Sequence, residues 1–382
     1  MVGEQGTADR RESFSIPTPV RSVLVIAFIY LFLVGVSSLE KGIKIMGEDT
    51  QERLFSSVSN PIAGLCVGIL GTVLVQSSSA STSVIVGLVA TKGISVDAAV
   101  PMIMGANIGT TVTNTLVSLG HVRQSNEFKR AFAAATVHDF FNVMAVTVML
   151  PLELLTGVVS GIAKEISGRL VGSAGSEWKS PVKEWVKKPV GWIVDIWEAV
   201  GLNGNVLGTV VVLTGLVVVL GALTMITKNM RTLVADRVER SVNNVLGKGS
   251  GTVAMMLGLV ITIAVQSSSI TTSILIPLSA AGVLSLRNAY PVTLGANVGT
   301  TITALLAALA ASVPEALTIA LTHTTFNLMG ILILYVPPLV RDLPVLGAER
   351  LAEVAVRQRT WAVGYVMGVF IVLPLIGVAL LR

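Results

Sequence analysis

Gln76, Ser77, Ser78 and Ser79 place one amide and three hydroxyls inside a long apolar stretch, and Gln266, Ser267, Ser268 and Ser269 repeat them 190 positions later. Such a run is costly in hydrocarbon unless it is buried in protein or lines a wet cavity. A helix starting just after the serines would aim free N–H groups and its positive dipole end at them, which suits a small oxyanion. A helix ending at the glutamine would leave free carbonyls, which suit a small cation. A second block carries further oxygen ligands. Asn107, Thr110, Thr111 and Thr113 lie within Gly-Ala-Asn-Ile-Gly-Thr-Thr-Val-Thr, and Asn297, Thr300, Thr301 and Thr303 match them at the same offset. A third block holds His138, Asp139 and Asn142, aligned with His323, Thr324 and Asn327 at an offset of 185. Three blocks in one order exclude chance and indicate an internal duplication whose halves meet at one polar site.

Each block also has a plainer reading. Serine runs can serve as small residues in helix packing, although a glutamine heading both copies favours a polar site. Asp139 sits midway along an apolar span, where ionisable groups face a cavity or a partner. As a cation ligand it has Asn142 about one turn along the same face; as a structural group it bonds His138 or a hydroxyl. Its counterpart is Thr324, so a site built on Asp139 exists once. His138 and His323 admit a proton relay or, with more weight, a packing role. No Lys or Arg lies in the apolar arms around either serine run or in the segments around Asn107 and Asn297. A divalent anion there would take its countercharge from co-bound cations. Two charges about 5 Å apart at an effective dielectric of ~20 interact by roughly 3 kcal/mol, enough to make the two binding events interdependent. There is no Walker loop, no metal-ligand Cys/His cluster and no Gly-x-Ser-x-Gly elbow, which argues for secondary over ATP-driven transport.

The elements that must position these residues follow from composition. The chain has 382 residues, 52% hydrophobic and 13% charged, with mean hydropathy +0.79. A soluble domain carries about 25% charged residues, so a soluble helical core is set aside for a membrane protein. The net charge of +5 comes from loop Lys and Arg and fits a cytoplasmic-face bias better than nucleic-acid binding. Cys66 is the only cysteine and can form no intrachain disulfide. No cleavable signal is evident, and the first apolar segment is long enough to span and stay.

Residues 1–19 read as a polar tail, 20–151 as a first transmembrane repeat, 152–203 as an external interfacial loop, 204–340 as a second repeat, and 341–382 as a cytoplasmic linker with a C-terminal transmembrane helix. Within the first repeat, 20–39 is a span, 40–60 an amphipathic loop, and 61–75 and 80–90 are arms flanking residues 76–79. Neither arm reaches the ~20 residues that cross a bilayer, so a re-entrant hairpin is favoured over a straight span. The span at 100–119 is expected to unwind at 105–111, and 131–151 is a further span. Trp178, Trp185, Trp192 and Trp197 among lysines place 152–203 at a membrane–water interface. The second repeat reads as a span at 206–226, a charged linker at 228–248, arms at 251–265 and 270–281, a second broken helix at 290–311 and a span at 314–336, with a last span at 360–381. The hairpin returns to the side it enters, so the first repeat crosses an odd number of times and the second starts from the opposite face. Lys and Arg in 121–130 and 228–248 put those loops and the N-terminus in the cytoplasm. The expected fold is an all-α polytopic membrane protein of two inverted-topology repeats, each with a re-entrant helical hairpin and a broken transmembrane helix.

The paired Gln-Ser-Ser-Ser runs, Gly-Ala-Asn-Ile-Gly-Thr, and Ala135-Thr136-Val137-His138-Asp139-Phe140-Phe141-Asn142 resemble the repeat signatures of the type II sodium–phosphate cotransporter family, in particular a bacterial member. The resemblance covers about residues 60–155 and 250–335. It implies a non-enzymatic secondary transporter of the bacterial cytoplasmic membrane. That protein takes up inorganic phosphate with sodium as coupling ion, by alternating access and electrogenically. It implies phosphate at Gln76, Ser77, Ser78, Ser79, Gln266, Ser267, Ser268, Ser269, Thr111 and Thr301. It implies sodium at Asn107, Thr110, Thr113, Asp139, Asn142, Asn297, Thr300, Thr303 and Asn327. In the family, the aspartate matching Asp139 goes with electrogenic transport. This chain departs from animal members, which carry Gln and an acidic residue where it has His121 and Gln124, and its external loop has no cysteine for a disulfide. The partners expected are phosphate, sodium ions and the lipid bilayer, without nucleic acid. Three readings compete: a sodium-coupled carrier of sulfate or a dicarboxylate, a non-transporting membrane scaffold or sensor, and a channel.

Overall fold

A computed structural model of the chain describes residues 16–46, 60–171, 181–246, 250–311 and 313–381, with the side chains of 181–183 and 234–246 excepted. Trp178, most of the polar tail and most of the 40–60 loop lie outside the described residues. Among the described residues no strand occurs. The helices in order are α1 Thr18–Ile45, α2 Pro61–Val75, α3 Ser78–Ala90, α4 Val96–Gly109, α5 Val112–Ser118, α6 Ser125–Thr156, α7 Val158–Val171, α8 Pro181–Ala199, α9 Gly204–Leu246, α10 Gly251–Val265, α11 Ser268–Ala280, α12 Leu286–Ala311, α13 Pro314–Leu334, α14 Leu343–Arg357 and α15 Thr360–Leu381.

Six of these are long and apolar enough to cross a membrane: α1, α6, the stretch Gly204–Leu233 of α9, α12, α13 and α15. Burial separates them into layers. α6 and α12 are each 72% buried over their most apolar window, whereas α15 is only 17% buried. The first pair therefore forms the centre, and α15 presents most of its apolar surface outward, as a helix facing hydrocarbon does.

The two short-helix pairs α2–α3 and α10–α11 break in the same way. Gln76 and Gln266 take left-handed backbone conformations, φ 56° in both, followed by extended Ser77 and Ser267 at φ −152° and −155°. Helices usually reach this left-handed step with glycine. Here each glutamine donates its own Nε2–H to the carbonyl three residues back, Val73 and Ile263 respectively, and so satisfies an end-of-helix acceptor. The serine hydroxyls then accept from Ala80 N–H and Ile270 N–H and cap the following helices. After the second break the chain folds back. Thr262 Oγ1 and Thr271 Oγ1 are 2.8 Å apart across nine residues, a separation that would span about 13 Å along one straight helix.

Each hairpin's first arm lies against the next long helix at glycine-lined contacts. A Cβ on Gly105 would overlap the Leu65 carbonyl, and one on Gly68 the Met102 carbonyl. In the second half, Gly295 meets the Met255 carbonyl and Gly258 the Val292 carbonyl in the same manner. α1 and α9 also close on glycines, with Gly35 against Gly215 and Gly42 against Gly208.

Three expectations need correction. α12 is one continuous helix, so the second broken helix expected at residues 290–311 is absent. Its glycines serve close packing, and its hydroxyls bond within the helix: Thr300 donates to Ala296 O and Thr301 to Val298 O. In the first half the expected unwinding shrinks to a two-residue interruption at Thr110 and Thr111, both still in right-handed helical conformation. That interruption keeps α4 and α5 from counting as a single span. The expected charged linker 228–248 is helical as far as Leu246, continuing α9 without a break.

Candidate functional site

The two breaks face one space. Residues 76–79 and 266–269 together line a single cavity of about 610 Å³. All eight hydroxyl- and amide-bearing residues of the two runs are therefore neighbours, although 190 positions separate the copies. α3 and α11 start at this cavity, so their first N–H groups and positive dipole ends point into it. Ser78 and Ser268 are buried, at 7% and 2% exposure. Gln76 and Gln266 are two of the three non-glycine residues with positive φ among the described residues; such conformations cluster at functional sites because surrounding contacts must hold them.

A second pair of contacts holds the tips. Thr113 Oγ1 donates to Gln76 Oε1 at 3.1 Å, and Thr303 Oγ1 donates to Gln266 Oε1 at 2.8 Å. Each glutamine thus spends its N–H on its own helix and its oxygen on a later one, α5 for Gln76 and α12 for Gln266. Across the repeats, Asn114 of α5 bridges to α11: its Nδ2 donates to Thr272 Oγ1 at 2.6 Å, and its Oδ1 accepts from Ser273 Oγ at 3.1 Å. Ser269 reaches the Thr110 carbonyl at 3.5 Å. Arg130 of α6 donates through Nε to the Ala280 carbonyl at the end of α11, at 2.8 Å.

Below the tips a buried amide chain joins the two halves. His138 Nε2 bonds Asn297 Oδ1, Asn297 Nδ2 donates to Asn142 Oδ1 at 2.7 Å, and Asn142 Nδ2 donates to the Asn107 carbonyl at 2.7 Å. Asp139, fully buried, takes a different direction from His138. Its Oδ2 accepts from Tyr365 OH at 3.1 Å and Thr115 Oγ1 at 3.4 Å, and its Oδ1 has no hydrogen-bond partner among the described residues. An unpaired buried carboxylate oxygen is costly and is the kind of atom a cation satisfies. Among the described residues no group of three His, Cys, Asp or Glu side chains could hold a metal ion; the oxygens on offer come from one carboxylate, amides, hydroxyls and carbonyls.

The structure distributes the remaining residues singled out in the sequence as follows. Thr111 and Thr301 are buried, donate to Ile108 O and Val298 O, and do not line the cavity. Thr110 and Thr300 donate to carbonyls of their own helices, Ala106 O and Ala296 O. Asn107 keeps its Nδ2 without a partner. Asn327 donates to the His323 carbonyl of its own helix, and its Oδ1 is unpartnered, so it stands apart from the amide chain. Among the described residues His323 has no partner at either ring nitrogen. Three contributors have no signature in the repeated blocks: Tyr365 from α15, Asn114 from α5, and α9, which forms a wall of the cavity through Thr224, Thr227 and neighbouring residues.

Comparison with known proteins assigns the chain to a family. The family model described as Na+/Pi-cotransporter matches residues 31–168 and 218–338. The chain is 32% identical over 444 residues to the sodium-dependent phosphate transport protein 2B of Pongo abelii and 33% identical to that of Homo sapiens, covering 93% of this chain and 64% of each relative. It is 35% identical over 421 residues to the sodium-dependent phosphate transport protein 2A of Rattus norvegicus, covering 92% of this chain and 66% of that protein. The chain thus spans somewhat under two thirds of the length of these relatives. No solved structure matches it. The family match and the six apolar helices together make it an integral membrane protein.

Proposed function

The chain belongs to the Na+/Pi-cotransporter family, and on that premise we propose that it is a secondary active transporter that carries inorganic phosphate together with sodium. The observation that carries this reading is the convergence of both Gln-Ser-Ser-Ser tips on one cavity of about 610 Å³. Helix N-termini and serine hydroxyls supply donors to the anion there. Sodium is drawn to the oxygens nearby: the Asp139 carboxylate, the amides of Asn107, Asn142 and Asn297, and the tip carbonyls. Ionised Asp139 adds one negative charge that the second half lacks; it holds one more sodium per phosphate, and that additional cation makes the transport cycle electrogenic.

In the same reading residues 20–151 and 204–340 are inverted repeats that rock about the shared cavity, giving each side of the membrane access in turn. The Lys and Arg residues at 121–130 and 228–248 set the N-terminus in the cytoplasm of a bacterial cell, with the protein in its cytoplasmic membrane. Uptake of labelled phosphate into proteoliposomes tests the proposal. Accumulation driven by an inward sodium gradient, and lost when potassium replaces sodium, is the expected result. Uptake indifferent to sodium overturns symport, and equal competition by sulfate overturns phosphate as the substrate.

A further inference from the structure

The donors that the two tips offer are neutral. Hydroxyls and N–H groups bind an oxyanion but discriminate weakly between one and two negative charges. The wall opposite them is different. Along α9, Leu220, Leu223, Thr224, Thr227, Lys228 and Arg231 all line the cavity. Their spacing of three, four and seven positions keeps them on one stripe of the helix. The stripe changes character as it runs, from two leucines through two threonines to two cations. Among the described residues no Asp or Glu lines the cavity. Among the described residues neither Lys228 nor Arg231 forms an ion pair, and both are exposed to the space they line.

We infer that Lys228 and Arg231 are the anion-selecting residues of this transporter, a fixed cationic pair that draws a polyvalent oxyanion to the tips and favours the more highly charged form. This inference rests on the proposed phosphate transport. Two positive charges act on a divalent anion with twice the Coulomb energy they exert on a monovalent one, and exposed charges keep that influence over a Debye length of about 8 Å at physiological ionic strength. The threonines one turn away then take over as the anion leaves water. The cations stand on α9, outside the repeated blocks, so one pair serves both tips.

Because residues 228–248 are read as cytoplasmic, the test is phosphate transport by the full-length chain in proteoliposomes with phosphate supplied on the face that exposes this segment, comparing wild type with Lys228→Gln, Arg231→Gln and the double variant. The expected result is an apparent phosphate KM raised about fivefold in each single variant and further in the double. The maximal rate should stay within about twofold, sodium dependence should persist, and Lys228→Arg and Arg231→Lys should restore the wild-type KM. The preference for divalent over monovalent phosphate, read from KM across pH, should flatten in the double variant. A wild-type KM with an unchanged pH profile in the double variant overturns the inference. A measurement on the wild type alone guards against misfolded variants. Raising ionic strength with an inert salt from about 50 to about 300 mM should raise KM several-fold, and a flat response overturns the inference equally. Absence of sodium-driven uptake by the wild type would instead remove the underlying reading, so the two failures are distinguishable.

Discussion

Thr113 and Gln76 are joined by a hydrogen bond that the second half reproduces between Thr303 and Gln266, with the hydroxyl donating to the side-chain carbonyl in both cases. Each bond ties a left-handed hairpin tip to a helix beside it, the seven-residue α5 in the first half and α12 in the second. The glutamine is therefore a strut. Its amide nitrogen holds the end of one helix, and its oxygen holds the tip at a fixed distance from the next.

Breaking the strut should loosen the proposed anion site without unfolding the protein. In Thr303→Val the part-buried Gln266 Oε1 loses its donor, at a cost of about 1 kcal/mol, or roughly fivefold in affinity. We expect the apparent phosphate KM to rise by that factor, with Thr303→Ser close to wild type. Thr113→Val should have a smaller effect, because Gln76 is more open to water that can replace the lost donor. An unaltered KM in Thr303→Val would show that the tip is held by other means.

Asp139 and Tyr365 separate charge from positioning. Asp139→Asn keeps the shape and removes the charge, so current per phosphate under voltage clamp should fall by about one elementary charge. Tyr365→Phe keeps the charge and removes one donor from Oδ2. The empty carboxylate then loses stabilisation, and sodium should bind about two- to fivefold more tightly, with current per phosphate unchanged. If Tyr365→Phe alters the current-to-flux ratio and Asp139→Asn does not, these roles are wrongly assigned.

The parts of this site legible in the sequence are those the duplication wrote twice. Gln76 and Gln266, with the serines after them, stood out because polar side chains in apolar arms are costly in hydrocarbon, and they do meet at one cavity. The glycines were legible as special but misleading as to cause. A break within 290–311 would use Gly295 and Gly299 for backbone freedom, yet their missing side chains make room for the Met255 carbonyl and for Thr262. Sequence pattern cannot separate these uses of glycine, because both demand the absence of a Cβ. Lys228 and Arg231 looked like the start of a solvated linker because charges end an apolar run there; helix continues through them to Leu246. Tyr365 carried no signal at all, since it lies in a helix with no counterpart in the first half.

His138 and His323 occupy matching positions but not matching surroundings. His138 bonds Asn297 in the amide chain, whereas both ring nitrogens of His323 are buried without partners. Removing an unsatisfied polar group costs little, while removing one member of a bonded pair strands the other. His323→Leu should leave the apparent Tm in detergent unchanged or raised. His138→Leu should lower it by several degrees, for a loss of about 1–3 kcal/mol. The opposite order of the two variants would mean that His323 has a partner in the state that dominates in solution.

The glycine contacts yield a contrast between helical positions. Gly105→Ala and Gly295→Ala would each drive a methyl into a backbone carbonyl, of Leu65 and Met255, and the rigid partner helix cannot yield as a side chain would. Gly71 lies in the same arm as Leu65, and a Cβ there meets nothing within 4 Å. Alanine at position 71 should hold or raise stability, since it gains up to about 1 kcal/mol in helix propensity. At 105 or 295 it should cost at least 1–3 kcal/mol by overpacking, visible as a lowered Tm or lost yield of folded protein. Should Gly295→Ala retain wild-type stability, α10 and α12 cannot be in the contact described here, and the glycines of Gly-Ala-Asn-Val-Gly-Thr must serve backbone freedom after all.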